Sequence, residues 1–401
     1  MSKALSPLLS NIEEDDFSLV GRMVPPLQRK AYSDRTAWLM ATLADMAYEP
    51  FELAENEPLK DLAEELAHMQ GNVPAITEKL ENAKALLNSG NAQIEDSIRS
   101  VLAVGGFELI GTFFSRSHTP INIHPADFKD PKKLAAYIHD TQGFVAARRN
   151  KPDQESMAVL VFRGTTNIKD WITNANAVLT QAPDGDTRIH PGFRKAYEDV
   201  QYQVLELLKQ VDDIPLYITG HSLGGALAVC ATYFLPKHRL AACYTFGGPR
   251  VGDQNFVDRF KTPIYRVVNG YDPVPMIPPS ATGLYYLKFL LSRVPKIGTL
   301  FPWLSDHFSY AHAGDQRYLS DAVSPDGFGR KWQGLRLERN IDFWARTKNF
   351  LQSGLIGGGL RQVISYHTMS TYRKKLRFIA CEANPQPTLH AVPYKVIEGQ
   401  R

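Results

Sequence analysis

The stretch Ile214-Pro-Leu-Tyr-Ile-Thr-Gly220-His221-Ser222-Leu223-Gly224-Gly-Ala-Leu-Ala-Val-Cys-Ala-Thr-Tyr-Phe234 decides the fold. Its first part, Ile214 to Gly220, is short, apolar and β-branched, which suits a buried strand. Its last part, Gly224 to Phe234, is built from small and apolar residues that suit a helix packed closely on a sheet. Between them Gly220-His221-Ser222-Leu223-Gly224 reads G-x-S-x-G. A turn of this kind lifts a serine Oγ above a parallel sheet, and it does so by forcing the serine into strained backbone geometry. The flanking glycines then leave no room for a Cβ. A Gly-rich turn whose serine only caps the following helix is the competing reading. The strand before and the helix after favour the nucleophile.

A serine nucleophile needs a base, an acid to orient the base, and donors for the developing oxyanion. Upstream, Met157-Ala-Val-Leu-Val-Phe-Arg-Gly164 reads as a strand and ends in Arg163-Gly164-Thr165-Thr166. Thr165 can offer a hydroxyl and a backbone N–H to an oxyanion. The N–H of Leu223 is the second candidate donor, at a helix start where the dipole favours negative charge. Read alone, Thr165 fits an ordinary cap or turn residue better than an oxyanion donor. Downstream, Pro263-Ile-Tyr-Arg-Val-Val-Asn-Gly-Tyr-Asp272-Pro-Val-Pro is a strand followed by a loop in which Pro273 holds the chain just past the acid. Asp272 is the candidate triad acid, or else an Asx-turn residue of the kind common before proline. Of the eleven histidines, His307, His312 and His367 follow Asp272 closely enough to compete as base, and the late His390 satisfies the same order.

Five strings, in order, resemble the class 3 lipases, the fungal lipase-like family of α/β-hydrolases. They are Val161-Phe-Arg-Gly-Thr-Thr166 with Asp170-Trp171; His190-Pro-Gly-Phe193; Ile218 to Ala228; Thr245-Phe-Gly-Gly-Pro-Arg-Val-Gly-Asp253; and Arg266-Val-Val-Asn-Gly-Tyr-Asp-Pro-Val-Pro275. The similarity is dense over about residues 157–280 and weaker over Ala37–Tyr48 and the C-terminal third. It implies an α/β-hydrolase fold, with a mostly parallel central sheet flanked by helices. It implies Ser222 as nucleophile, Asp272 as acid, and Thr165 with Leu223 as the oxyanion pair. Tyr310-Ala-His-Ala-Gly-Asp315 resembles a family segment with a non-catalytic histidine, which sets His312 aside. The base is implied at His367, in Tyr366-His367-Thr-Met-Ser-Thr-Tyr372, where Tyr366 replaces the family's usual Asp. Asp306-His307-Phe-Ser-Tyr310 imitates the same string but precedes the Tyr310–Asp315 segment. Arg163, His190 and Arg250 read as supporting residues, and His221 as a packing or loop contact.

The implied activity is hydrolysis of lipid esters of the acylglycerol type through an acyl-enzyme. The alternatives are phospholipase A1-like or acyltransferase chemistry on the same triad, or a non-catalytic lipid- or protein-binding module.

Composition fits this reading. The 401 residues are 44% hydrophobic and 22% charged, as in a globular domain. A net charge of +3, with no Lys/Arg-rich block, does not imply nucleic acid. No cofactor is expected. The irregularly spaced His118, His124 and His139 make a poor metal site, and no metal-binding motif is present. Three cysteines, Cys230, Cys243 and Cys381, do not suggest a disulfide framework. The start of the chain turns acidic by Glu13-Glu-Asp-Asp16, too early for a signal peptide, and the expectation is a cytoplasmic protein, with peripheral membrane association or export by another route left open.

The expected organisation is an N-terminal arm (1–34), one α/β-hydrolase domain (35–385) and a tail (386–401). Residues 35–104 read as helical, and Phe107–Ser115 and Thr141–Arg149 as strands. Two insertions separate Asp272 from His367. Gly283–Leu304 is apolar and aromatic with three basic residues and no acid, which suits either an interfacial contact or the lining of an acyl pocket. Ile341–Ser365 begins as an amphipathic helix and contains Gly357-Gly-Gly359. Nothing in the sequence sets the oligomeric state.

Overall fold

A computed structural model describes residues 31–48, 91–115, 142–149, 156–164, 178–236, 239–280, 309–322, 324, 332–339, 341 and 365–383. Helix α1 (Asp34–Met46) and helix α2 (Asn91–Val104) come first. Strands β1 (Glu108–Phe114), β2 (Gln142–Arg148) and β3 (Met157–Phe162) follow. The short pair β4 (Thr180–Gln181) and β5 (Arg188–Ile189) precedes helix α3 (Pro191–Lys209). Strand β6 (Leu216–His221), helix α4 (Leu223–Phe234) and strand β7 (Leu240–Phe246) come next. Then come helix α5 (Gln254–Asp258), strand β8 (Ile264–Asn269) and a 3₁₀ turn (Val274–Met276). Strands β9 (Asp315–Leu319) and β10 (Leu337–Arg339) and helix α6 (Met369–Phe378) end the described fold, with one π-helical turn (Ile379–Ala383).

Eight strands form one sheet in the order β1-β2-β3-β6-β7-β8-β9-β10. The run from β3 through β6, β7 and β8 to β9 is parallel throughout, and antiparallel strands close both edges. A parallel run needs crossovers, and the helices that make them cover the sheet faces. Strands β2, β3, β6 and β7 are buried along their whole length, which is why they read as unbroken apolar runs rather than alternating ones.

Side chains on β3 sort strictly by face. Met157, Val159 and Val161 join the core under α1, α2 and α6, whereas Ala158, Leu160 and Phe162 join the core under α3 and α4. Strand β6 lies mid-sheet between β3 and β7. Its carboxyl end meets α4, so the elbow stands where an open parallel sheet offers a crevice.

The expected strands are all found, with ends shifted by a residue or two. Within 35–104, α1 and α2 are helical, and residues 49–90 lie outside the described residues. So do the Arg116–Asp140 loop, with His118, His124 and His139, the 283–304 insertion and 342–364 of the second one.

Candidate active site

Ser222 stands between β6 and α4 at φ 57° and ψ −125°, and it is the one non-glycine residue with positive φ among the described residues. That conformation presses backbone on backbone. A Cβ on Gly220 would overlap the carbonyl of Gly224, and a Cβ on Gly224 would overlap the carbonyl of Phe162 at the end of β3. Both flanking glycines are therefore sterically required. The Ser222 N–H donates to the Phe246 carbonyl on β7 at 3.0 Å, which anchors the strained residue to the next strand. The serine does not cap its helix: its side chain makes no cap hydrogen bond.

Asp272 lies three residues past the end of β8 and is wholly buried. Its Oδ1 accepts the Val274 N–H at 2.9 Å, and its Oδ2 accepts the Tyr372 hydroxyl at 2.5 Å. His367 is 1% exposed, and its Nδ1 lies 2.9 Å from both carboxylate oxygens. A carboxylate only accepts, so Nδ1 carries the proton and Nε2 presents a lone pair. Gly247, at φ 57°, backs this group. A Cβ there would come within 2.6 Å of Asp272 Oδ2 and 3.1 Å of His367 Cε1.

The two atoms still to be paired are Ser222 Oγ and His367 Nε2. Both are buried, and neither has a hydrogen-bond partner among the described residues. They are thus not bonded to each other in this state. Such contacts are often long without substrate and tighten in the reacting complex.

His221, beside Ser222, does more than pack. Its ring lies 4.5 Å, centroid to centroid, from that of His367. Its Nε2 is 2.7 Å from the His367 carbonyl, and its Nδ1 is 2.6 Å from the Tyr48 hydroxyl. A carbonyl accepts only, so Nε2 donates and Nδ1 accepts from Tyr48. Burial, reinforced by the neighbouring His367, holds the His221 imidazole well below the usual histidine range.

The other candidates fall as follows. Leu223 opens α4 immediately after Ser222, so its N–H is one of the unpaired first-turn donors. The chain on the β3 side reaches the elbow at Gly164, against the Tyr48 hydroxyl and the His221 carbonyl. Thr165, the next residue, lies outside the described residues, as do His307 and His390. His312 bonds the Pro275 carbonyl through Nε2 at 2.6 Å. His190 caps α3, its Nδ1 accepting from the N–H groups of Gly192 and Phe193. Arg250 ties the 3₁₀ turn by donating to the carbonyls of Met276 and Pro278. Arg163 donates to Gln142 on β2. Tyr366, which replaces the family's usual Asp, donates its hydroxyl to Asp321 at 2.8 Å.

Sequence reasoning missed Tyr48, Asn269, Tyr372 and Lys375 as parts of this site. Tyr372 alone carried a signal, five residues after His367 on a helix that returns it to Asp272.

Among the described residues no group of His, Cys, Asp and Glu could hold a metal ion, and no helix is long and apolar enough to cross a membrane.

The family model described as Lipase (class 3) matches residues 159–282, the block that contains Ser222 and Asp272. A lipase of Rhizomucor miehei is 36% identical over 174 residues, 40% of this chain and 47% of that protein. A secreted mono- and diacylglycerol lipase 1 of Fusarium solani is 37% identical over 164 residues, 39% of this chain and 49% of that protein. A chloroplastic phospholipase A(1) of Arabidopsis thaliana is 30% identical over 221 residues, 46% of this chain and 48% of that protein. The chain spans about half the length of the curated relatives it matches. The block at residues 159–282, which holds Ser222 and Asp272, is thus what this chain shares with the class 3 lipases.

Proposed function

We propose that this protein is a serine carboxylic-ester hydrolase acting on lipid esters. The observation that supports the reading is a buried histidine bonded through Nδ1 to the Asp272 carboxylate, its ring 4.5 Å from that of His221, the residue before a buried serine held at positive φ. The Oγ of that serine and the Nε2 of that histidine have no partner among the described residues. Ser222 Oγ attacks the ester carbonyl while His367 Nε2 takes its proton. Asp272, steadied by Tyr372 and the Val274 N–H, keeps the imidazole in one tautomer and stabilises its cationic form. His367 then returns the proton to the leaving alcohol. Water, activated by the same imidazole, hydrolyses the acyl-enzyme. The Leu223 N–H and Thr165 take the oxyanion role. Ser222 has no exposed surface, so a bulky ester reaches Oγ only after the residues covering it move.

The names of the relatives support an acylglycerol substrate. A phospholipase A1 reading rests on the Arabidopsis relative and differs only in head group. We expect 283–304, with its basic and aromatic residues, to meet the lipid interface. A cytoplasmic location is an expectation from the sequence alone, since the printed names of relatives include secreted and chloroplastic proteins.

The test is labelling with a serine-reactive phosphonate, together with turnover of an ester series below and above its aggregation point. Label should map to Ser222. Ser222→Ala should stay folded and lose hydrolysis by several orders of magnitude, since loss of a triad serine in a protease costs about 10⁶ in kcat. His367→Ala should be nearly as damaged, and His307→Ala should retain most turnover of soluble esters. Label elsewhere, or an active Ser222→Ala, would sink the reading. A chain that forms acyl-enzyme but turns over only with an alcohol acceptor is a transferase instead.

A further inference from the structure

Behind the triad acid lies a second polar layer that the reaction just described does not use. Lys375, on α6, is 1% exposed. Its ammonium donates to Asn269 Oδ1 at 2.8 Å and to the Ser320 carbonyl, just past β9, at 3.0 Å. The Trp332 ring lies 5.1 Å from it. Burial pulls this lysine down to about 8, opposed by the charge of Asp321. A buried ammonium of this kind is costly, so its partners matter.

Asn269, the last residue of β8, links Lys375 to the segments that carry the proposed base and acid. Its Nδ2 donates to the carbonyl of Tyr366, the residue before His367, at 2.8 Å. Its backbone N–H donates at 3.0 Å to the Tyr372 hydroxyl, which in turn donates to Asp272. An amide side chain can flip end for end, and only its partners decide which end is the oxygen. The Lys375 ammonium accepts nothing, so it forces Oδ1 toward itself and turns Nδ2 toward Tyr366. With the opposite flip two donors would face Lys375 and an oxygen would face the Tyr366 carbonyl.

We propose that Lys375 is a positioning residue, which orients Asn269 and through it fixes the segment that delivers His367 to Asp272. This rests on the hydrolase reading. It adds that the geometry of the base is set from α6, β8 and β9 behind the sheet edge as well as from the elbow in front. Misplacing a base by a fraction of an ångström to one ångström lowers the chemical step without touching the surfaces that bind substrate, with losses of up to about a hundredfold.

The experiment compares wild type, Lys375→Met, Asn269→Leu and the double variant on a soluble nitrophenyl ester. Rates are expressed per site titrated by the phosphonate burst, so that unfolded molecules do not count. Lys375→Met should lose about ten- to a hundredfold in kcat with KM within twofold of wild type. Asn269→Leu should lose a similar factor, and the double variant no more than the worse single one, because the two residues act in series. A kcat per titrated site within twofold of wild type in Lys375→Met, or losses that multiply in the double variant, overturns the proposal. If Lys375→Met does not fold, Asn269→Leu decides alone: an unchanged kcat there overturns it. A wild-type protein that the phosphonate does not label at Ser222 overturns the hydrolase reading and this proposal together. Labelled wild type with fully active variants overturns this proposal only.

Discussion

Ser222 carries its side chain at φ 57°, a conformation that costs a residue with a Cβ about 1–3 kcal/mol. The elbow tolerates this because the Ser222 N–H is tied to the Phe246 carbonyl, and because Gly220 and Gly224 let the carbonyls of Gly224 and Phe162 close against the turn. Ser222→Gly should therefore be more stable than Ser222→Ala by roughly 1 kcal/mol, although both lose the proposed nucleophile. The strain relieved in the native state is partly offset by the extra freedom glycine gains when unfolded. Thermal melts of the two variants check this. A glycine variant that melts below the alanine variant would mean the serine backbone is not strained. In the proposed reaction serine is kept at this position for its Oγ, at the cost of the backbone strain that glycine would relieve.

Helices α1 and α6 pack on each other and on one face of the sheet, and together they hold the groups behind the site. Tyr48 follows α1, while Tyr372 and Lys375 ride on α6. Their apolar contact is fastened by an ion pair, Arg373 Nε to Asp45 Oδ2 at 2.7 Å, whose arginine is 3% exposed. Taking one partner from a buried pair costs far more than the pair is worth, because a desolvated charge is left behind. Asp45→Ala should destabilise the protein by about 3 kcal/mol in urea unfolding. Replacing both partners, as Asp45→Leu with Arg373→Met, should recover most of that loss. If Asp45→Ala unfolds at the wild-type midpoint, apolar packing alone fastens α6. The legible part of these elements was their periodicity. The apolar run through Ala37–Tyr48 reads as a helix, but nothing in it says that Asp45 will meet a residue far along the chain.

Across the whole molecule, buried titratable groups make stability depend on pH. His221 is neutral in the fold, with a folded pKa well below 6.5. Below about pH 6.5 the unfolded chain takes up this proton and the native state does not. The contribution is thus fully present above that pH and is lost as pH falls, by up to about 1.4 kcal/mol per unit for the one proton. The stability of wild type minus that of His221→Gln, which keeps an amide at the site but does not titrate, should fall between pH 6.5 and 5. Chemical denaturation at stepped pH measures this. Two parallel stability curves would show that His221 is protonated in the native state.

The chain by itself determined the parts of this protein that local chemistry controls. A G-x-S-x-G turn needs a strand before it and a helix after it, so Ser222, its flanking glycines and the run of buried strands could be read in order. Asp272 could be read from its place past a strand and before a proline. The histidine could not be read from local chemistry, because three followed Asp272 within reach and no local pattern states which one closes on a carboxylate; only the family resemblance singled out His367. That depends on where α6 docks, and the docking puts His367 Nδ1 at 2.9 Å from Asp272 and His312 on the Pro275 carbonyl instead. The layer of Tyr48, Asn269, Tyr372 and Lys375 was hidden for the same reason. Each is an ordinary residue at its own position, and each gains a role only from a hydrogen-bond partner that lies far away in sequence and next to it in space.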